Sequence, residues 1–266
     1  MAKLFAVTIV CIAIASAVPI IFHMWPLPPD VSLHGHLIDD QFADTMVEAG
    51  ISFLVSQFVL AYFIWRFSQS KPTDKIKRFP GGAAGLVAAA FLLVGTEVLA
   101  LGVFGVKAWG DAYLTPPPPD AVQVQVQAGQ FAFYFRYPGP DKSFGVTKPS
   151  LINQATGNFF GLDMDNPDAK DDIVTAELAI PVNREVHLLM HSQDVGHSFY
   201  VPELRVQQDF VPGLDLSIHF TATKIGRYQI VCTQLCGLGH YAMSAFLEVK
   251  SPEDYDAWLK QQAALQ

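Results

Sequence analysis

The stretch Val122-Gln-Val-Gln-Val-Gln127 alternates apolar and polar residues at every position. This period of two is typical of a β-strand with one buried face, because successive side chains of a strand point to opposite faces of the sheet. Similar short segments follow it, separated by Pro, Gly and Asp, at residues 131–137, 173–178, 185–191, 216–221, 227–232 and 245–249. This pattern predicts an all-β sandwich or barrel of antiparallel strands over residues 121–250.

The predicted β domain has a clear boundary at each end. Residues 115–120 contain four consecutive prolines, which favour extended polyproline geometry and predict a stiff linker. At the other end, Ser251 is followed by Pro252 and two acidic residues. A serine cap, a proline in the first turn and early acidic residues predict a C-terminal helix over residues 251–266.

Residues 1–114 are much more apolar and predict a membrane anchor of two or three transmembrane helices. The apolar segments lie at about residues 4–22, 47–66 and 83–106, and each is long enough to cross a hydrocarbon layer of ~30 Å as a helix. Residues 66–78, between the second and third segments, are rich in Lys and Arg and should stay on the cytoplasmic side. We therefore expect a multi-pass protein of a bacterial-type inner (plasma) membrane, with its β domain on the periplasmic side.

Two features of the anchor affect this interpretation. Lys3 and the small residues Ala15-Ser16-Ala17 are also typical of a cleaved signal peptide, but apolar residues continue through position 22 and favour a retained helix. Glu97 lies near the middle of the third segment. An ionisable group is costly there unless it is paired, so Glu97 is a candidate intramembrane polar site facing a partner subunit or a proton path.

The net charge of −8 disfavours a nucleic-acid partner, because phosphate binding needs a basic surface. Acidic residues of the outer domain are instead candidates for docking a basic electron donor, and they would raise the association rate more than the affinity. These residues are Asp163, Asp165, Asp168, Asp171, Asp172, Asp194, Glu203 and Asp209. An ordinary solvated surface is the alternative for each of them.

The segment with the most distinctive chemistry is Cys232-Thr-Gln-Leu-Cys236-Gly-Leu-Gly-His240-Tyr-Ala-Met243, between two predicted strands. Thiolate, thioether and imidazole ligands together favour copper. Zinc is an alternative, although structural zinc sites use four Cys or His ligands and not methionine. A disulfide between the two cysteines is a third interpretation, but it leaves His240 and Met243 unexplained.

A pair of metal ions would need a further ligand from outside this loop. His197 is the leading candidate, since it lies between a predicted strand and a turn that contains Pro202. The other histidines lie in alternating strand patterns or between the first two apolar segments, namely His187, His191, His219, His23, His34 and His36.

Three motifs together resemble the dinuclear copper (CuA) domain of subunit II of cytochrome c oxidase, a haem-copper oxidase. They are C-x3-C-x3-H-x2-M, the pattern D-V-x-H-S-F-x-V-P around His197, and the turn Val211-Pro212-Gly213. The similarity covers about residues 121–259 and extends to the preceding helical hairpin. It implies a cupredoxin-like Greek-key sandwich that accepts electrons from cytochrome c and passes them to the haems of subunit I, which reduces oxygen to water with proton pumping.

The resemblance also implies a ligand set. Cys232 and Cys236 would bridge two copper ions, and His197 and His240 would each bind one. Met243 and the backbone carbonyl of Gln234 would be weak ligands. The implied partners are subunit I and other oxidase subunits, cytochrome c or another periplasmic donor, a respiratory supercomplex and the lipid bilayer.

The chain departs from the family pattern at two places. Gln234 stands where most members have a glutamate that also reaches a magnesium ion, so the magnesium role is not carried over. Where many members have a tryptophan-rich patch for electron uptake, this chain has aromatic residues of other types, of which Phe131, Phe133 and Tyr134 are the candidates. Core packing is the alternative role for such aromatics.

Competing functions share parts of this pattern. The chain contains no C-x-x-C-H motif, so we expect no covalently attached haem and a separate electron carrier. The electron-accepting subunit of a copper-containing nitric oxide reductase is one alternative, and haem typing of the co-purified partner separates it from an oxidase. A membrane-anchored copper-delivery protein is another, which exposed Met or His clusters would favour.

Overall fold

The computed structural model describes residues 1–22, 24, 26–68 and 84–265. They form two compact units, one of Met1–Leu27 with Leu37–Ala108 and one of Pro28–His36 with Trp109–Gln266. Most of the predicted cytoplasmic loop, from residue 69 to residue 78, lies outside the described residues.

The first unit is built from three helices, α1 (Ala2–Ile21), α2 (Gly35–Phe67) and α3 (Ala84–Trp109). Each contains a stretch long and apolar enough to cross a membrane. Glu97 lies at the middle of α3 and is half-buried.

Helix α2 begins at Gly35, well before the predicted start near residue 47. Its first turns carry Asp39, Asp40 and Asp44. Their charges lower the local hydropathy, so the apolar pattern did not predict this part of the helix. At 1.5 Å per residue its 33 residues extend about 50 Å, more than a hydrocarbon layer of ~30 Å, so an acidic first part can lie outside that layer.

The second unit contains ten strands in two five-stranded sheets among its described residues. The strands are β1 (Val122–Gly129), β2 (Ala132–Tyr137), β3 (Ile173–Thr175), β4 (Leu178–Pro181), β5 (Glu185–Ser192), β6 (His197–Val201), β7 (Val206–Phe210), β8 (Leu216–Thr221), β9 (Gly226–Val231) and β10 (Ser244–Lys250). The first sheet has the order β3-β2-β1-β5-β8, and the second has the order β4-β10-β9-β6-β7.

The two sheets pack on each other through one apolar core. Fully buried side chains come from both sheets, namely Val124, Phe135, Leu188 and Phe220 of the first and Ile180, Phe199, Ile230 and Leu247 of the second. In β5 the buried residues alternate with more exposed ones, as the sequence pattern predicts. The predicted fold class, apolar N-terminal helices followed by a β-sandwich, is confirmed.

Several strand assignments need correction. Strands β6 and β7 were not predicted, and the segment 173–178 is divided between β3 and β4, which belong to different sheets. The pairs β1–β5 and β4–β10 are parallel, whereas antiparallel strands were expected throughout. Strand β6 has four of its five residues buried, so it lacks the alternation that reveals a strand with one exposed face.

A C-terminal helix, α4 (Pro252–Ala263), packs on the sandwich through Tyr255 and Trp258. The Ser251 hydroxyl accepts a hydrogen bond from the backbone N–H of Asp254 at 3.1 Å and so caps the first turn.

A buried ion pair lies on the first sheet. The guanidinium group of Arg136, which is 1% exposed, donates to the carboxylate of Asp172, to Gln125 Oε1 at 2.8 Å and to the carbonyl oxygen of Gly145 at 2.6 Å. The Gly145 N–H donates to the same carboxylate at 3.0 Å. Asp172 is thus part of the domain interior and is not available for a docking surface.

Candidate metal centre

Residues 232–243 form a loop, here called the ligand loop, between the neighbouring antiparallel strands β9 and β10. Cys232 follows the last residue of β9, and Met243 precedes the first residue of β10. The backbone N–H of Cys232 donates to the carbonyl oxygen of Met243 at 3.2 Å, which closes the base of the loop. His240 begins a short 3-10 turn just before Met243, so both ends of the loop are fixed by regular structure.

His197 is brought to the ligand loop by strand pairing. It is the first residue of β6, a strand that the sequence did not predict, and β6 ends just before the turn that contains Pro202. Strand β6 is antiparallel to β9 with Tyr200 opposite Val231, so the start of β6 lies beside the residues that follow Val231. The ring of His197 is fully buried.

The five predicted side-chain ligands converge. The two sulfur atoms of Cys232 and Cys236 lie 3.8 Å apart. Cys232 Sγ is 4.0 Å from His197 Nδ1, and Cys236 Sγ is 3.6 Å from His240 Nδ1 and 3.8 Å from Met243 Sδ. Three of these residues, His197, Cys232 and Cys236, present ligand atoms that all lie within 4.8 Å of one another.

The surroundings of this cluster suit a soft metal ion. Cys232, Cys236 and Met243 are at most 7% exposed, and the carbonyl oxygen of Gln234 lies 3.2 Å from Cys232 Sγ. Both thiols are free, since a disulfide would place the sulfur atoms about 2.05 Å apart. The donor set of two thiols, two imidazoles, a thioether and a carbonyl fits copper better than zinc.

Asp194 orients His197. Its Oδ1 lies 2.7 Å from His197 Nε2, so the Nε2–H group donates a hydrogen bond to the carboxylate. Nδ1 then carries the lone pair, which points towards Cys232. Asp194 also accepts hydrogen bonds from the backbone N–H groups of Gln130 at 2.8 Å and Val195 at 2.7 Å. Burial alone would raise the pKa of Asp194, but these three hydrogen bonds outweigh it and lower the pKa.

Burial, followed by the neighbouring Cys232, raises the pKa of the Cys236 thiol to about 11. The thiol therefore keeps its proton at neutral pH until a metal ion displaces it.

The three candidate aromatics for electron uptake occupy different environments. Phe131 is 41% exposed and lies against the ligand loop, because a Cβ atom built on Gly239 would be 2.5 Å from its ring. Phe133 is buried in the sandwich core, whereas Tyr134 stacks on Phe159 with ring centroids 3.5 Å apart. Only Phe131 combines exposure with contact to the loop.

The candidate docking acids also occupy different environments. Asp194 is engaged with His197, Asp163 forms an ion pair with Lys148 at 2.5 Å, and Glu203 is half-buried. Asp165 and Asp209 are exposed. The ligand loop itself exposes large apolar side chains, since Leu235, Leu238 and Tyr241 are 78%, 97% and 91% exposed.

Sequence reasoning missed part of this site. Asp194 was assigned to docking, although its position three residues before His197 is a signal for a carboxylate that orients a ligand histidine. Gln130 and Gly239 were not singled out, because the contacts of Gln130 with Cys236 and of Gly239 with Phe131 join segments about a hundred residues apart.

The fold and the donor set define a class of membrane-anchored β-sandwich proteins that hold a transition metal with soft ligands. Residues 147–250 match the family model described as cytochrome c oxidase subunit II, periplasmic domain. An alternative cytochrome c oxidase subunit 2 of Bradyrhizobium diazoefficiens is 31% identical, and the alignment covers 97% of this chain and 91% of that protein. The chain belongs to the cytochrome c oxidase subunit II family and is therefore a subunit of an oxidoreductase.

Other known proteins are similar over much of the chain. Cytochrome c oxidase subunit 2 of Thermostichus vulcanus is 30% identical over 91% of this chain and 80% of its own length. A crystal structure of the periplasmic domain of subunit II of a Bradyrhizobium japonicum cytochrome oxidase aligns with a TM-score of 0.42 and 21% identity, over 56% of this chain and 99% of that one. Members of this family normally bind copper.

We expect Asp194→Asn to weaken copper binding about 10- to 100-fold, the usual effect of losing a partner that orients a ligand. An amide has one acceptor oxygen, so it cannot serve the three donors that now converge on the two carboxylate oxygens. Competition with a copper chelator measures the affinity in the full chain. Asp209→Asn, an exposed acid on β7, is the matched control. Wild-type affinity in both variants would contradict the assigned role of Asp194.

Proposed function

We propose that this chain accepts electrons one at a time from a cytochrome c at a dinuclear copper centre and passes them to the haems of subunit I. Oxygen reduction to water and proton pumping would then take place in subunit I. The observation that carries the proposal is the convergence of two thiols, two imidazole Nδ1 atoms and a thioether at one end of the sandwich.

The residues that would hold the copper ions are His197, Cys232, Gln234, Cys236, His240 and Met243. Copper, when bound, supplies reversible one-electron exchange. Cys232 and Cys236 are the two sulfur donors near the centre of the cluster, so both would hold copper. Gln234 would contribute only its backbone carbonyl, a role that needs no carboxylate side chain, and no magnesium site is proposed.

The protein holds the proposed ligands in a rigid arrangement that is largely buried. His197 is held by Asp194, and the ends of the ligand loop are held by β9 and β10. Such support limits the movement of the ligands when the charge of the site changes, which favours rapid electron exchange. The buried surroundings keep water from the sulfur atoms.

The exposed surface of the ligand loop supports docking of partner proteins. Large apolar side chains that stay in solvent in the isolated chain, such as Leu238 and Tyr241, are typical of interaction sites. Subunit I, other oxidase subunits and a periplasmic donor are the proposed partners, and a respiratory supercomplex is a further assembly of the same kind. The exposed acids Asp165 and Asp209 would steer a basic donor towards the domain.

The proposed location is the bacterial inner membrane, with a multi-pass anchor and the copper domain in the periplasm. The three apolar helices support this arrangement, since each is long enough to span a bilayer. Glu97 in the middle of α3 would face subunit I or a proton path, where a partner offsets the cost of its charge.

We expect Phe131→Ala to slow electron uptake while leaving copper binding unchanged. The ring lies on the ligand loop and is partly exposed, but it provides no ligand atom. The test is stopped-flow reduction of the copper-loaded full chain by reduced cytochrome c, together with copper quantitation. Phe246→Ala is the control, because Phe246 on β10 is 36% exposed and stacks under Arg227. Equal rates in the two variants, or equal loss of copper, would refute the role of Phe131.

A further inference from the structure

Gln130 contacts both segments that carry the proposed ligands. It lies in the turn between β1 and β2, immediately before Phe131. Its backbone N–H donates to Asp194 Oδ2 at 2.8 Å, and the other oxygen of that carboxylate holds His197. Its side-chain Nε2 donates to the carbonyl oxygen of Cys236 at 2.6 Å. One residue therefore links the His197 segment to the ligand loop.

The turn that holds Gln130 also lies tightly against two glycines of the ligand loop. A Cβ atom at Gly237 would be 2.8 Å from Gln130 Nε2, and one at Gly239 would be 2.6 Å from Cγ of Phe131. Gly237 has a φ of +136°, which favours glycine as well. The absence of side chains at both positions lets the loop backbone approach Gln130 and Phe131 directly.

We propose that Gln130 is the positioning residue for electron uptake: it fixes Phe131 on the ligand loop and joins Cys236 to the Asp194–His197 pair. This inference rests on the proposed function. The Gln130 amide and the Cys236 carbonyl form a hydrogen-bonded connection from the residue next to Phe131 to a sulfur ligand. Electrons tunnel more efficiently along covalent and hydrogen bonds than across a gap, so this connection favours transfer from the Phe131 surface to the site.

The test compares Gln130→Met with Gln207→Met in the copper-loaded full chain. Methionine is close to glutamine in length but has no N–H to donate, so the first variant removes the bond to Cys236 and keeps the backbone bond to Asp194. Gln207 donates from Nε2 to Thr233 Oγ1 at 3.1 Å, so its variant removes a hydrogen bond to the same loop without touching a ligand residue. Copper content, the electron spin spectrum and the saturation kinetics of reduction by cytochrome c are measured for each.

We expect Gln130→Met to keep its copper and to show an altered spectrum. Its limiting rate of reduction should fall about tenfold, near the lower end of the loss that follows when a residue hydrogen-bonded to a metal ligand is replaced. The half-saturating concentration of cytochrome c should stay the same, because the substitution keeps the exposed apolar side chains Leu238 and Tyr241, the proposed docking surface. Gln207→Met should match the wild type in every measurement. A Gln130→Met chain with wild-type spectrum and limiting rate, or identical changes in both variants, would overturn the inference. A wild-type chain that binds no copper pair would instead overturn the proposed function, and the inference with it.

Discussion

Replacement of Cys236 by serine is expected to abolish the dinuclear copper centre. The sulfur of Cys236 lies within 3.8 Å of three other proposed donors, namely Cys232 Sγ, His240 Nδ1 and Met243 Sδ. A hydroxyl is a hard and weakly acidic group that does not replace a thiolate for copper. The copper content of the full chain should fall from two ions to one or none, as measured by metal quantitation after removal of excess copper.

Cys11→Ser is the matched control for this experiment. Cys11 lies in α1, is exposed, and belongs to the other compact unit. The Cys11→Ser chain should retain two copper ions and the wild-type spectrum. If Cys236→Ser bound copper as the wild type does, Cys236 would not be one of the residues that hold the copper.

Asp172→Ala is expected to lower the free energy of unfolding of the β-sandwich domain by about 3–5 kcal/mol, the usual cost of removing one partner from a buried ion pair. The variant leaves the guanidinium group of Arg136 buried without its counter-charge. Denaturant unfolding of the metal-free chain, followed by the circular dichroism of the sheets, measures the change.

Two further variants distinguish a buried charge from a general loss of packing. Burial raises the pKa of Asp172 in spite of Arg136, so desolvation of this pair is costly. The double variant Arg136→Met, Asp172→Leu should therefore recover most of the lost stability. Glu177→Ala removes an exposed partner of Arg227 and should cost at most about 1 kcal/mol. Equal losses in Asp172→Ala and Glu177→Ala would contradict this account of the pair.

The sequence predicts those parts of the molecule that depend on local patterns. The alternation in β5 follows from one buried and one more exposed face, and the apolar helices follow from their length. In β1 the burial alternates only as far as Val126, because Gln127 is buried as well. The ligand loop is also predicted by the sequence, because its two cysteines, histidine and methionine lie within twelve residues.

The remaining features depend on contacts between distant segments. Strand β6 is buried on both faces and β7 has polar central residues, so neither shows the expected period. Strands β1 and β5 pair in parallel, although three other strands lie between them in the sequence. No local sequence pattern indicates such a pairing. The position of His197 beside the ligand loop and the hydrogen bond from Gln130 to Cys236 have the same origin.

The most direct test of the copper site is metal quantitation combined with the electron spin spectrum of the copper-loaded full chain in detergent. The account predicts two copper ions per chain and a mixed-valence signal of seven lines, which an unpaired electron shared by two copper ions would give. One copper ion per chain with a four-line signal would contradict the dinuclear assignment.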